Sequence, residues 1–251
     1  MKASPGGDHY SYSVYADPAT AQHFDERRFG GDIGRLVAAS QADVLARFAG
    51  PVAGRAVLDV GTGTGRAALL MARAGGQVTG VDPSEQMLAI ARTRAAEEAL
   101  AIAFEIGDAH HLGFADRAFD VVISFRVLMH VPDWKGCLAE LCRVAGQRVI
   151  LDYPSARSFA AIQAIVRRMT HRLGARTEPY RVFGDGEIAR ELTRAGFRIA
   201  RVHRQFVLPI AVHKAIGSSR FSTWSRSLSE RTGLLALLGS PVTLVAERWT
   251  S

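Results

Sequence analysis

Between Arg55 and Asp152, short apolar runs alternate with stretches of helical periodicity. Ala56-Val57-Leu58-Asp59-Val60 predicts a strand that stops at Gly61-Thr62-Gly63-Thr64-Gly65. A helix over Arg66 to Ala74 follows, with Ala67, Leu70, Met71 and Ala74 on one face. Val78 to Val81 is a second strand, closed by Asp82-Pro83-Ser84. Ser84 is the expected N-cap of a helix over Glu85 to Glu98, whose Met87, Leu88, Ala91 and Ala95 recur at helical spacing. Ile102 to Ile106 and Phe119 to Ser124 read as the third and fourth strands. The fourth is apolar on both faces, as a strand sandwiched between helix layers is. Trp134 to Val144 is another helix and Gln147 to Leu151 a fifth strand. This rhythm predicts an α/β fold built on a doubly wound, mostly parallel sheet.

The rhythm changes after Tyr153. Ala156 to Leu173 reads as a basic helix carrying Arg157, Arg167, Arg168 and Arg172. Asp185 to Ala195 is a helix ended by Gly196, Phe197 to Leu208 a strand, Pro209 to Ser240 a broken helical stretch, and Pro241 to Trp249 a last strand. One domain is expected over 1–251. Within it we expect an N-terminal helical arm (1–50), a cofactor-binding core (51–153) and two cap insertions (154–184 and 209–240).

Composition narrows the classes. The 251 residues are 48% hydrophobic and 22% charged, which fits a globular chain rather than a disordered or collagen-like one. Cys137 and Cys142 form neither a disulfide framework nor a zinc pattern, so buried thiols and no metal are expected. The formal charge of +7 averages two unlike halves. Residues 1–142 hold 13 cations against 17 anions, and residues 143–251 hold 18 against 7. Basic surface of that kind attracts anionic partners. The polar, tyrosine-rich N-terminus lacks the apolar run of a signal peptide, so a cytoplasmic location is expected.

The densest chemical signal is the turn Asp59-Val60-Gly61-Thr62-Gly63-Thr64-Gly65. Glycines there let backbone approach a ligand, and the next helix offers unpaired N–H groups and the positive end of its dipole to an anionic group. Asp82 lies 21 residues after Gly61, at the tip of the second strand, where a carboxylate accepts hydrogen bonds from ribose hydroxyls. A nucleoside-bearing cofactor is therefore expected at the carboxyl ends of the strands. The dinucleotide fingerprint fails, because Arg66 stands where its third glycine belongs, and the phosphate-loop pattern fails as well.

The remaining pattern, D-x-G-x-G-x-G, resembles the glycine-rich motif of class I S-adenosylmethionine-dependent methyltransferases, of the methyltransferase 11-like, small-molecule type. Gly107-Asp108-Ala109, Phe119-Asp120-Val121-Val122-Ile123-Ser124 and Val127-Leu128-Met129-His130-Val131-Pro132-Asp133 resemble later motifs of that family. The resemblance covers roughly residues 45 to 152. It implies a seven-stranded Rossmann-like sheet with an antiparallel last strand, and S-adenosylmethionine as the cofactor. It implies cofactor contacts at Asp59, Gly61, Thr62, Gly63, Gly65, Asp82, Pro83, Met87, Asp108, Ala109 and Ser124.

Transfer to an oxygen or carbon acceptor calls for a base near the operating pH. His130 is the first candidate, ahead of His110, His111 and Asp152 with Tyr153; for His130 the alternative is a packed structural histidine. Tyr10, Tyr12 and Tyr15 are candidates to fold over the cofactor. The apolar, arginine-rimmed stretch 209–240 suits a small lipophilic or anionic acceptor such as a quinone precursor, an isoprenoid or a lipid-linked compound, and leaves peripheral membrane contact open. Two rivals stand beside this reading. One is an RNA or other nucleic-acid methyltransferase, against which the chain lacks an RNA-binding module and an Asn-Pro-Pro-Tyr signature. The other is a non-catalytic, cofactor-binding assembly factor. The oligomeric state is not legible.

Overall fold

The computed structural model describes residues 25, 26, 29–172 and 180–249. Its elements in chain order are α1 (Gly31–Ala49), β1 (Ala56–Val60), α2 (Arg66–Arg73), β2 (Gln77–Asp82), α3 (Glu85–Glu97), β3 (Ile102–Ile106), β4 (Phe119–Ser124), α4 (Trp134–Val144), β5 (Ala145–Tyr153), α5 (Phe159–Arg172), α6 (Asp185–Arg194), β6 (Phe197–Phe206), α7 (Ile210–Ile216), α8 (Ser219–Arg231), α9 (Leu234–Leu238) and β7 (Ser240–Arg248). The seven strands form one sheet in the order β3-β2-β1-β4-β5-β7-β6. β7 runs antiparallel between β5 and β6, and the other pairings from β3 to β5 are parallel. The doubly wound, mostly parallel sheet with an antiparallel last strand is thus as expected.

Strand side chains alternate between two cores, as the two-residue period requires. Val57, Val121, Ile123, Ile150 and Val245 face Val44, Leu45 and Phe48 of α1 and Ala68 and Met71 of α2. Leu58, Val122, Val149, Leu151 and Leu244 face Leu138 and Leu141 of α4 and Ile188 and Leu192 of α6. Ser84 caps α3 by accepting the Met87 N–H, and Asp133 caps α4 by accepting the Gly136 N–H.

Three expectations need correction. In α2 the fully buried residues are Ala68, Leu69 and Met71, whereas Ala67 and Leu70 are half-buried and Ala74 is exposed. Six of its eight residues are apolar, so periodicity did not fix the face; the left-handed Gly65 launches the helix and sets its rotation. β5 reaches from Ala145 to Tyr153, longer than the Gln147 to Leu151 run, because antiparallel β7 pairs it from Arg148 through Tyr153. α5 begins at Phe159, not Ala156: Ala156 donates its N–H to Phe183 and Ser158 its hydroxyl to Ser155, committing that stretch to a turn.

Cys137 and Cys142 are buried free thiols, with burial pushing Cys142 up to about 12 and Cys137 higher still. Among the described residues no helix is long and apolar enough to cross a membrane.

α4 passes into β5 without a glycine at its end, so its last carbonyls need a donor from elsewhere. Arg248, at the end of β7, supplies it. Nη2 donates to the Cys142 and Ala145 carbonyls at 2.7 Å, and the guanidinium lies 4.5 Å over the Phe197 ring. A cation at a helix carboxyl end also opposes the helix dipole. Replacing Arg248 with Met should lower stability by about 1–3 kcal/mol, read as a reduced midpoint in urea at unchanged slope. An unaltered midpoint would show that water caps α4 equally well.

Candidate functional site

Chain order reverses between β1 and β4: β2 and β3 lie on one side of β1, and β4, β5, β7 and β6 follow on the other. In doubly wound sheets, ligand clefts form at this switch point, outside the carboxyl ends of the strands. A cleft of about 850 Å³, measured out to its mouth, lies there. It is lined by the ends of β1 (Val60, Gly61, Gly63) and β2 (Val81 to Ser84), by Met87 of α3, by Gly107 and Ala109 after β3, and by the loop after β4 (Phe125, Arg126, Val127, His130, Val131).

The glycine turn is held from beneath by two carboxylates. Asp59 Oδ2 accepts the Thr62 hydroxyl at 2.7 Å and the Ala68 N–H at 3.1 Å, stapling the end of β1 to the first turn of α2. Asp82 Oδ2 accepts the Gly63 N–H at 2.8 Å, while Oδ1 accepts the Ser84 N–H at 2.9 Å. Gly61 has φ +70°, and a Cβ there would lie 2.2 Å from Cγ2 of Val127. The turn and the loop after β4 therefore touch with no room for a side chain. A Cβ on Gly63, by contrast, would meet nothing within 4 Å.

Of the expected site residues, Gly61, Gly63, Asp82, Pro83, Met87, Ala109 and His130 line the cleft together. Asp59, Thr62, Gly65, Asp108 and Ser124 stand behind it. Asp59 and Thr62 bond each other, and Gly65 packs against Ala91. Asp108 Oδ1 accepts the His110 N–H at 2.9 Å and lies 2.8 Å from its Nδ1, fixing the turn that presents Gly107 and Ala109. Ser124 is fully buried, with no hydrogen-bond partner for its Oγ among the described residues.

Asp152 is buried, and its Oδ1 accepts the backbone N–H of Arg126. Burial raises its carboxyl, with the Arg126 charge opposing that shift. Tyr153 donates its hydroxyl to Asp185 at 2.9 Å. Tyr10, Tyr12 and Tyr15 lie outside the described residues. The sequence reading missed Phe125, Arg126, Val127 and Val131 as lining residues. Their position just past β4 was the available signal.

The fit of a nucleoside-bearing cation can be judged from these features. The wall is mostly apolar, an acid stands at the β2 tip, and the space over Gly63 admits close approach to backbone. The residues fit such a group.

Fold and cleft together define a doubly wound α/β protein of the nucleoside-cofactor type. Residues 58–150 match the family model described as a methyltransferase domain. A demethylmenaquinone methyltransferase of Tropheryma whipplei is 29% identical over 188 residues, covering 68% of this chain and 77% of that protein. The methyltransferase GfsG of Streptomyces halstedii is 39% identical over 106 residues, covering 40% of this chain and 38% of that one. The crystal structure of magnesium protoporphyrin IX methyltransferase from Synechocystis PCC 6803 with bound SAH superposes with a TM-score of 0.64 at 22% identity, over 94% of this chain and 99% of that one. That last likeness is one of fold. The likeness to a methyltransferase domain thus covers residues 58–150, on a fold shared with class I methyltransferases.

Burial raises the Asp59 carboxyl to about 6, outweighing the Thr62 and Ala68 hydrogen bonds that favour its ionised form. A folded pKa above the unfolded value means that the native state holds a proton the unfolded chain has lost. Stability is then greatest below roughly pH 4 and falls as pH rises through about 6. The ionised group at pH 8 costs on the order of 2–3 kcal/mol. Asp59→Asn keeps an oxygen to accept both bonds. It should therefore raise Tm at pH 8, with the gap closing by pH 4.5, in thermal scans without added ligand. A lower Tm at pH 8 would show that the turn needs the charge.

Proposed function

We propose that this protein transfers the methyl group of S-adenosylmethionine to an oxygen or carbon of a small, lipophilic acceptor, in the cytoplasm. The observation that carries the reading is a single cleft joining the glycine turn and Asp82 at one end to the apolar, histidine-bearing loop after β4 at the other. When bound, the cofactor would supply an electrophilic methyl, which an electron pair on the acceptor's oxygen or carbon would take, the sulfonium leaving as a neutral thioether. Gly61 and Gly63 bring backbone close to it, Asp82 accepts the ribose hydroxyls, and Pro83, Met87 and Ala109 form its apolar walls. Asp59, Thr62, Gly65, Asp108 and Ser124 shape the turn and strand ends that carry those contacts. No covalent enzyme intermediate is needed, so alignment within the cleft supplies most of the acceleration. His130, buried at the cleft wall with its backbone N–H donated to the Val127 carbonyl at 2.8 Å, takes the acceptor proton on its imidazole.

A lipophilic acceptor is supported by Phe125, Val127 and Val131 on the cleft wall and by the demethylmenaquinone named for the Tropheryma relative. Residues 51–153 then form the cofactor core, 1–50 the arm, and 154–184 and 209–240 the caps. Calorimetry should register S-adenosylmethionine binding to the full chain. Mass spectrometry of metabolite and lipid extracts incubated with methyl-labelled cofactor should reveal one compound gaining a single methyl. His130→Ala should lower kcat about 10²–10⁴-fold with cofactor affinity kept within twofold. Unchanged kcat would return His130 to a packing role.

The acceptor's route is the finer part of the reading. α5 exposes Ile162, Ile165 and Met169, each close to 60% accessible, and residues 154–184 carry six arginines against one glutamate. An apolar helix face set in cationic surroundings suits an anionic bilayer surface. Tyr180 donates its hydroxyl to the Ala160 carbonyl, and Arg181 its N–H to the Met129 carbonyl, linking this helix to the cleft loop. The full chain should co-sediment with phosphatidylglycerol vesicles and not with phosphatidylcholine vesicles, and Ile165→Glu should weaken that retention about tenfold. Retention on RNA with none on either vesicle would overturn the membrane reading.

A further inference from the structure

We propose that Arg126 recognises a carboxylate on the methyl acceptor. This rests on reading the cleft as a methyltransferase site. Arg126 stands two residues past the end of β4 and lines the cleft. Its φ is +63°, in the left-handed region that a non-glycine residue enters only when its surroundings hold it there. What holds it is buried. Asp152, at the carboxyl end of β5, accepts the Arg126 backbone N–H. The carboxylate thus secures the main chain, and no carboxylate among the described residues lies within 4.0 Å of the guanidinium.

No hydrogen bond engages that guanidinium among the described residues either, although Arg126 is half-buried. Among the described residues, most other cations are paired or donate hydrogen bonds, as Arg143 does to Glu140, Asp116 and the Leu112 and Phe114 carbonyls. A half-buried planar cation at a cleft wall with its donors unspent is a site for a planar anion, and carboxylate matches it with two parallel hydrogen bonds.

The position separates this anion from the cofactor end. Asp82 marks the β2 side of the switch point. Arg126 lies on the β5 side, where its charge acts on Asp152 and on Tyr180 beyond β5. An acceptor whose carboxylate docks at Arg126 would extend from there past Val127 toward His130. Apolar walls then take its body and the arginine takes its charged end.

The test uses the full chain saturated with SAH, and 4-hydroxybenzoate and 3,4-dihydroxybenzoate against their methyl esters as probes, measured by calorimetry. The acids should bind the wild type at least tenfold more tightly than the esters. Arg126→Gln should bring the acids to the level of the esters, leaving ester and SAH affinities within twofold, and Arg126→Lys should retain part of the preference. Asp152→Asn, which keeps an acceptor for the Arg126 N–H, should preserve it, whereas Asp152→Ala should lose it although the guanidinium remains. Equal binding of acid and ester to the wild type, or no binding of either, would overturn the proposal. So would a tenfold loss of SAH affinity in Arg126→Gln, which would assign the arginine to the cofactor's own carboxylate. Failure of the wild type to bind SAH would instead overturn the methyltransferase reading on which the proposal stands.

Discussion

The carboxyl edge of the sheet depends on two buried carboxylates that hold one backbone turn. When β1 ends, the chain must reverse into α2 within five residues, three of them glycines at positive φ, and such a turn leaves amide N–H groups without ladder partners. Asp59 takes the Ala68 N–H from below and Asp82 takes the Gly63 N–H from the neighbouring strand. Each acid is desolvated, and burial pushes both upward. The turn therefore holds its shape at a cost in stability, as functional sites commonly do.

From that turn the rest of the cleft follows by contact. Gly61 leaves no room for a Cβ because Val127 fills it, so the loop after β4 is located by the turn rather than by its own sequence. The same loop is tied to β5 through Asp152 and to the segment after α5 through the Met129 carbonyl. Strands β1, β2, β4 and β5 thereby act on one small volume, although they come from residues nearly a hundred positions apart.

This division explains what the sequence could and could not disclose. Buried parallel strands are apolar on both faces, so β1 and β4 were legible to the residue from short apolar runs, the exposed edge strand β3 was legible from its Ile102-Ala103-Phe104 run, and Ser84 and Asp133 marked helix starts by local capping chemistry. The glycine turn and Asp82 were legible because their spacing is local to one strand–helix–strand unit. The rotation of α2 was not, since an almost uniformly apolar helix of two turns has no periodic contrast. Nor was Arg126. Its left-handed backbone is imposed by Asp152, 26 residues on, and nothing in Ser124-Phe125-Arg126-Val127 announces a turn. Sequence reading placed Asp152 among candidate bases, whereas its carboxylate is engaged by main chain.

The charge asymmetry also takes a different meaning once side chains are placed. The strongly basic half of the chain suggested a surface for anionic partners, yet much of its arginine is engaged in the fold. Arg143, Arg148, Arg201, Arg204 and Arg248 all donate to backbone carbonyls at loop and helix ends, bridging segments from 29 to 154 residues apart. Arg194, Arg198 and Arg226 sit beside Glu191, Glu247 and Glu230. Arginine suits this work because its five donors satisfy several carbonyls at once and its charge is retained on partial burial. Net charge is thus a poor measure of the electropositive surface available to a partner. That surface is set by the cations left without structural duty, and among the described residues Arg126, half-buried at the cleft wall, is the one placed where an anionic acceptor would meet it.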